Sequence, residues 1–244
     1  MSEYKASTYG DRFAEFYDLL ESASLDTEGT VAKLSSLASE GPILELGIGT
    51  GRVALPLQEG GLEVHGVEAS EAMIAKLRAK EGGDKIRVIQ GDFSKLDYST
   101  KYSLAFAAYN TFSSLPDQDS QVQCLEKVTK ALSPDGVLVL ESAVPDSAIL
   151  AKGQDVQVRF VDADLLVLHA SRYDSIQQRA IGQSIIVANG VIHTFPVQTR
   201  YNWPSELDLM ARIAGLSLVE RWANWRDEPF DAGSKSYISV YRRK

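Results

Sequence analysis

A single cysteine, Cys124, leaves this chain no intramolecular disulfide and no thiolate-rich metal site. Its three histidines, His65, His169 and His193, lack the short helical spacings of a zinc centre, so no metal is expected. Basic residues are outnumbered, 25 Lys and Arg against 33 Asp and Glu for a net charge of −8. A nucleic-acid surface needs clustered cations to displace counterions, so that class of partner is excluded. No apolar run approaches the roughly 20 residues that span a bilayer, and Met1 to Lys5 show nothing of a signal peptide. The expectation is a cytoplasmic protein that meets neither nucleic acid nor membrane. With 44% hydrophobic residues and no low-complexity linker, the 244 residues suit one domain carrying an inserted part.

What is present reads as alternating strands and helices. Tyr9, Phe13, Phe16, Tyr17 and Leu20 recur at steps of three and four, one face of a helix, with Asp11, Glu15 and Asp18 on other faces. A second helix carries Val31, Leu34 and Leu37 and stops at Gly41-Pro42. Ile43 to Leu46 is a strand that runs into Gly47, Gly49 and Gly51. A second strand, Leu62 to Glu68, ends on an acid, and Ser70 caps the helix of Met73, Ile74 and Leu77. Strands at Ile86–Gln90, Ser103–Ala108 and Val137–Leu140 follow, the last two separated by a helix over Val122, Leu125, Val128 and Leu132 that closes at Pro134-Asp135-Gly136. Pro56 should kink the first crossover helix. From Val156 to Tyr201 the period becomes two, with Asn189-Gly190 as a hairpin turn, which predicts an antiparallel insert of about four strands. Proline at the first position opens a last helix at Trp203-Pro204, and two strands complete the main sheet. The fold class is α/β, a doubly wound, Rossmann-like seven-stranded sheet with an antiparallel β insert. Its parts are a helical lid (1–40), a ligand-binding core (41–155), the insert (156–202) and a C-terminal completion of the sheet (203–244).

The glycine loop does not match the dinucleotide fingerprint, because Arg52 stands where a third-spaced glycine is needed. Its own pattern is Glu45-x-Gly47-x-Gly49-x-Gly51, followed by the strand-end acid Glu68 and by Gly91-Asp92-Phe93 after the third strand. These residues resemble the class I S-adenosylmethionine-dependent methyltransferases, whose first motif is E/D-x-G-x-G-x-G. The later part, from Asn110-Thr111-Phe112 to Trp203–Leu216, is similar to the bacterial subgroup of the cypemycin peptide N-methyltransferase, and the insert to the N,N-dimethyltransferases of deoxyamino sugars.

The resemblance implies adenosylmethionine as cofactor. Glu45, Gly47, Ile48, Gly49 and Gly51 then seat its methionine part, Glu68 and Ala69 its ribose, and Met73, Gly91, Asp92 and Phe93 its adenine, with Tyr9, Tyr17 and Tyr109 closing the site. Tyr17 and Asn110 are the candidates beside the methyl group, and His193 is a candidate base. Arg172, Arg200, Tyr201, Trp203 and Trp225 are candidate contacts to the acceptor, a small molecule or peptide. Transfer to nitrogen, less so oxygen, is the leading expectation, beside a non-catalytic cofactor-binding module. The insert suits a lid or a homodimer surface.

Overall fold

The computed structural model describes residues 4–20 and 25–244. Two helices come first, α1 (Thr8–Leu20) and α2 (Thr27–Leu37). The main sheet then begins with β1 (Ile43–Leu46), α3 (Ala54–Glu59), β2 (Val64–Glu68), α4 (Glu71–Arg78), β3 (Arg87–Gln90) and β4 (Tyr102–Ala107). It continues with α5 (Gln118–Ala131), β5 (Leu132–Ala143) and α6 (Ser147–Lys152), and after the insert closes with α7 (Pro204–Ile213), β10 (Leu216–Trp222) and β11 (Ser236–Arg243). The strand order is β10-β11-β5-β4-β1-β2-β3, with β1 to β5 mutually parallel and β11 antiparallel to both of its neighbours.

Helices cover both faces because the central strands are apolar on both. Leu44, Leu46, Ala105 and Leu138 pack with Leu125 and Val128 of α5 and Leu207 and Met210 of α7. On the other face Ile43, Leu104, Phe106 and Val139 meet Leu34 of α2, Leu57 of α3 and Leu77 of α4. Each such side chain contributes about 1.5–3 kcal/mol by leaving water. Local chemistry sets the helix starts: Asp26, Ser70 and Asp117 accept from the amides of Gly29, Met73 and Ser120. No helix of the described residues is long and apolar enough to cross a membrane.

The insert is a separate antiparallel sheet of β6 (Gln154–Val161), β7 (Leu165–Asp174), β8 (Arg179–Ala188) and β9 (Val191–Arg200). Asn189 and Gly190 both take left-handed φ, 50° and 76°, as the hairpin requires. The register puts Val167, Ile186 and His193 on one face with Phe195, and α1 lies on it: Phe13 is buried against Ile186 and Phe195, with Tyr9, Phe16 and Tyr17 beside it. The side chain of Leu20, at the end of the expected stripe, is outside the described residues.

Three expectations need correction, and one element was missed. Pro56 does not kink α3, because the helix begins only at Ala54 and a first-turn residue has no intrahelical N–H partner to lose. Leu132 and Pro134-Asp135-Gly136 belong to β5: Leu132 pairs with Tyr102, and the register shifts before Leu104 pairs with Val137. The short helix α6 was not anticipated; Asp146 caps it by accepting from Ala148 and Ile149. Of the two helices assigned to a lid, only α1 meets the insert, while α2 packs under the main sheet.

Candidate active site

The glycine loop leaves β1 at the carboxyl edge of the sheet, where ligands of doubly wound folds bind. All three glycines are left-handed, with φ of 69°, 55° and 84° at Gly47, Gly49 and Gly51. A Cβ on Gly47 would lie 2.5 Å from the Thr111 methyl, whereas one on Gly49 would face open space, its nearest neighbour the Gly47 carbonyl at 4.0 Å. Steric closeness explains the first glycine, and the second leaves a cradle. The Gly49 amide donates to Glu68 Oε2 and the Ser70 amide to Oε1, both at 2.9 Å, so the end of β2 is tied to the loop.

Glu45 lies beneath this loop, 5% exposed, with Oε2 lacking any hydrogen-bond partner among the described residues. Burial pushes its carboxyl up to about 8; the Glu68 charge adds to the rise, against Arg52 and the Ala54 amide. Burial also raises Glu68, helped by Asp11 and opposed by the amides of Ser70, Gly49 and Ala69. Arg52 extends to the Thr27 hydroxyl at 3.0 Å.

At the neighbouring strand ends, Asp92 accepts at Oδ1 from the Ser94 amide (2.9 Å) and hydroxyl (2.7 Å), and Lys95 lies 3.4 Å from Oδ2. Phe93, which follows it, and Met73 of α4 are both buried. β4 ends on two consecutive left-handed residues, Tyr109 (φ 49°) and Asn110 (φ 59°). For a bulky residue such as Tyr109 this costs about 1–3 kcal/mol and persists only where the surroundings hold it. They do: the Tyr109 amide donates to Glu141 Oε2 at 2.6 Å, and Asn110 Oδ1 accepts from Ser113 Oγ at 2.8 Å and from the Ala143 amide at 3.3 Å.

Helix α1 crosses above. Gly10 abuts Ser70 so closely that a Cβ there would lie 2.5 Å from the serine Cβ, and Ser70 Oγ donates to Asp11 at 2.7 Å. Lys76 meets Glu15 at 2.9 Å, and Asp18 holds both the Thr50 hydroxyl (2.5 Å) and Lys80 (2.8 Å). Residues 11, 15 and 18 thus latch α1 to α4 and to the glycine loop, while its aromatic stripe faces the insert. Tyr9 and Tyr17 flank Phe13 at ring distances of 5.0 and 6.0 Å. His193 lies on the same aromatic layer, 4.8 Å from Phe16 and stacked parallel to Phe195 at 6.5 Å.

The residues expected to meet the acceptor are not gathered there. Arg200 is 5% exposed, and its guanidinium donates to Gln121 (2.7 Å), Gln178 (3.1 Å) and Glu206 (2.6 Å), which join the insert to α5 and α7. Burial raises the Glu206 carboxyl, but hydrogen bonds from Arg200, Gln178 and Gln118 outweigh it and hold the group below its ordinary range. Trp225 is buried in the core layer of Leu34 and Trp222. Arg172 pairs with Ile181 on the face of the insert turned away from α1. Tyr201 and Trp203 line an open groove of about 570 Å³ with Leu150, Gln178 and Leu209, which includes none of the strand-end acids. Two features were missed. Glu141 ends an apolar strand as Glu68 does, a signal that was available; the acidic stripe of α1 has partners that no local pattern reveals.

Residues 43–136 match the family model of the methyltransferase domain. The CcbJ methyltransferase from Streptomyces caelestis superposes with a TM-score of 0.93 at 40% identity, covering 98% of this chain and 99% of that one. The cypemycin N-terminal methyltransferase of a Streptomyces species is 27% identical over 241 residues, 98% of each chain. DesVI from Streptomyces venezuelae, at 17% identity and a TM-score of 0.71 over 98% of this chain and 99% of that one, shares the fold. With 40% identity over nearly its whole length to one methyltransferase and the glycine loop, strand-end acids and seven-stranded order in place, the chain belongs to the class I S-adenosylmethionine-dependent methyltransferases.

Proposed function

We propose that this enzyme methylates a nitrogen of a small metabolite, an amino sugar or a peptide terminus. The chain's own residues suit adenosylmethionine on two counts: the cradle at Gly49, and the unpartnered buried oxygen of Glu45, which offers a counter-charge to the cofactor's ammonium. Glu45, Gly47, Ile48, Gly49 and Gly51 would hold the methionine part, Glu68 and Ala69 the ribose, and Met73, Gly91, Asp92 and Phe93 the adenine. Tyr9, Tyr17 and Tyr109 would close the seat. When bound, the cofactor supplies a methyl group that is already activated. The protein's work is then alignment and exclusion of water, and positioning of this kind is worth roughly 7–11 kcal/mol.

The composition of the roof carries the assignment to nitrogen. Tyr9, Phe16, Tyr17 and His193, half-buried, pack with the buried Phe195 as one aromatic layer between α1 and the insert, whereas Arg200, read from sequence as a partner for an acidic acceptor, is spent on Glu206. Aromatic faces within about 6 Å attract a cationic amine. An ammonium must lose its proton before it attacks, and His193, packed on Phe16 and Phe195, is the candidate base on that layer. The full-length relative named for N-terminal methylation of cypemycin points the same way.

The test is a panel of matched acceptors: peptides with free or acetylated amino termini, amino sugars beside their parent sugars, and phenols. Adenosylhomocysteine and the methylated product are read by mass spectrometry. Methylation of phenols with no amine accepted would overturn the assignment.

A second copy of the chain is the proposed occupant of the insert's outer face. Val156, Val158, Val161, Ile181 and Ile192, on the face opposite α1, are between 41% and 67% exposed. Four strands about 4.8 Å apart and some eight residues long at about 3.3 Å each make a face of roughly 500 Å², apolar at these five residues and polar at Arg172. The buried thiol of Cys124 suits the reducing cytoplasm.

A further inference from the structure

We propose that Glu141 is a positioning residue for methyl transfer: its carboxylate holds the Tyr109–Asn110 turn, and through it the methionine end of the cofactor seat. Glu141 lies near the carboxyl end of β5, half-buried, in register with Ile238 of β11. That pairing uses its backbone alone, so the sheet makes no demand for an acid at this position. The side chain reaches across to the next strand end and accepts from the Tyr109 amide at 2.6 Å. Asn110 makes the second anchor, through the Ala143 amide at 3.3 Å. Two left-handed residues in succession are thereby pinned to β5 at 141 and at 143.

The turn in turn fixes the glycine loop. Thr111 donates its amide and its hydroxyl to the Ala108 carbonyl, at 3.2 and 2.7 Å, which aims its methyl at Gly47. Relaxation of Tyr109 and Asn110 toward ordinary φ would therefore move the wall against which Gly47 packs. A glutamate suits the task because it has both the acceptor and the length.

The inference rests on the cofactor seat proposed above, and the test separates the two. Adenosylhomocysteine affinity is measured by calorimetry for the wild type, E141Q, E141D and E141A, well below each protein's melting midpoint and with no acceptor present. Gln keeps both acceptor and reach and should bind within about threefold of wild type; Asp, one methylene short, and Ala should each lose about tenfold or more, the cost of leaving the half-buried Tyr109 amide without its acceptor. Should the Ala protein fail to fold, the contrast between Asp and Gln decides. Wild-type affinity in E141D or E141A overturns the proposal, as does an E141Q that falls as far as they do, which would make the charge itself the requirement. A wild type that binds no adenosylhomocysteine would instead sink the seat.

Discussion

Replacing Glu45 by Gln should remove a pH dependence from the stability of the cofactor-free protein. Burial lifts this carboxyl from its ordinary 4.5 to about 8. A group whose pKa is raised on folding binds more protons in the native state, so its stabilising contribution is complete below about pH 4.5 and is lost as the pH climbs through 8. At pH 7 the interval from 4.5 is 2.5 pH units, and at 1.36 kcal/mol each the ionisable side chain costs about 3 kcal/mol relative to its protonated form. Gln copies that protonated form: its carbonyl can accept from Ala54 and its amide stands where the acid hydroxyl would be. Thermal unfolding of the two apo proteins should therefore coincide near pH 4.5 and separate on the way to pH 8, the variant becoming the more stable. For a chain of this size about 3 kcal/mol corresponds to roughly 6–12 °C at pH 7. Glu68, raised as well, repels Glu45, so losing the Glu45 charge also eases the ionisation of Glu68 and shifts the comparison the same way. Circular dichroism melts at half-unit steps from pH 4.5 to 9 would read it. Parallel profiles would refute the reasoning, since they would mean that Glu45 is solvated or paired in the folded state. Adenosylmethionine supplies an ammonium, so its affinity should rise toward pH 8 more steeply in the wild type than in the variant.

Three further outcomes follow from the same geometry. Glu68→Ala deletes the acceptor for the Gly49 and Ser70 amides as well as for the ribose, and calorimetry should show cofactor affinity weakened by about 1–3 kcal/mol or more; unchanged affinity would remove Glu68 from the site. Arg200→Met leaves Glu206 a partly buried carboxylate without its cation, so denaturant unfolding should show a loss of about 3–5 kcal/mol, with turnover per folded molecule retained at low temperature. A variant that folds normally but loses its acceptor would restore the substrate role. Ile192→Glu puts a charge on the insert's outer face and should convert a dimer to a monomer in sedimentation velocity; a wild type that sediments as a monomer at all concentrations would remove the interface.

The strand–loop–helix frame around the glycines was legible because its signals are local. Each of Glu45, Glu68 and Asp92 sits where an apolar run stops, and the glycines follow at fixed spacing, so the strand-loop-helix geometry could be read without knowing any contact across the fold. Glu141 carries the same mark and was passed over because no motif surrounds it. Helix α6, at six residues, is too short to show a period. Arg200 was misjudged because a strand arginine beside polar neighbours looks solvated. Its partners Gln121, Gln178 and Glu206 come from a helix, a strand flank and another helix, and nothing in its own stretch announces them. Trp225 failed in the same way: an aromatic near the sheet edge fills the core or a pocket with equal ease until packing decides.

Helix α1 explains why the acceptor half resists such reading. Its acidic positions meet α4 and the glycine loop, and its aromatic positions meet the insert, so one helix holds two surfaces that are far apart in sequence at a set separation. The exposed ion pairs among these latches contribute little energy individually, at most about 1 kcal/mol. The apolar contact of Phe13 with Ile186 and Phe195 supplies the adhesion, and the Gly10–Ser70 approach, too close for any side chain, fixes the position along the helix axis. The placement of the insert over the glycine loop is therefore set by the register of α1 against Ser70 and Thr50 rather than by a motif of its own. A shift of α1 by one turn would keep every helical periodicity in the sequence and break the Gly10–Ser70 approach and the Asp18–Thr50 bond together.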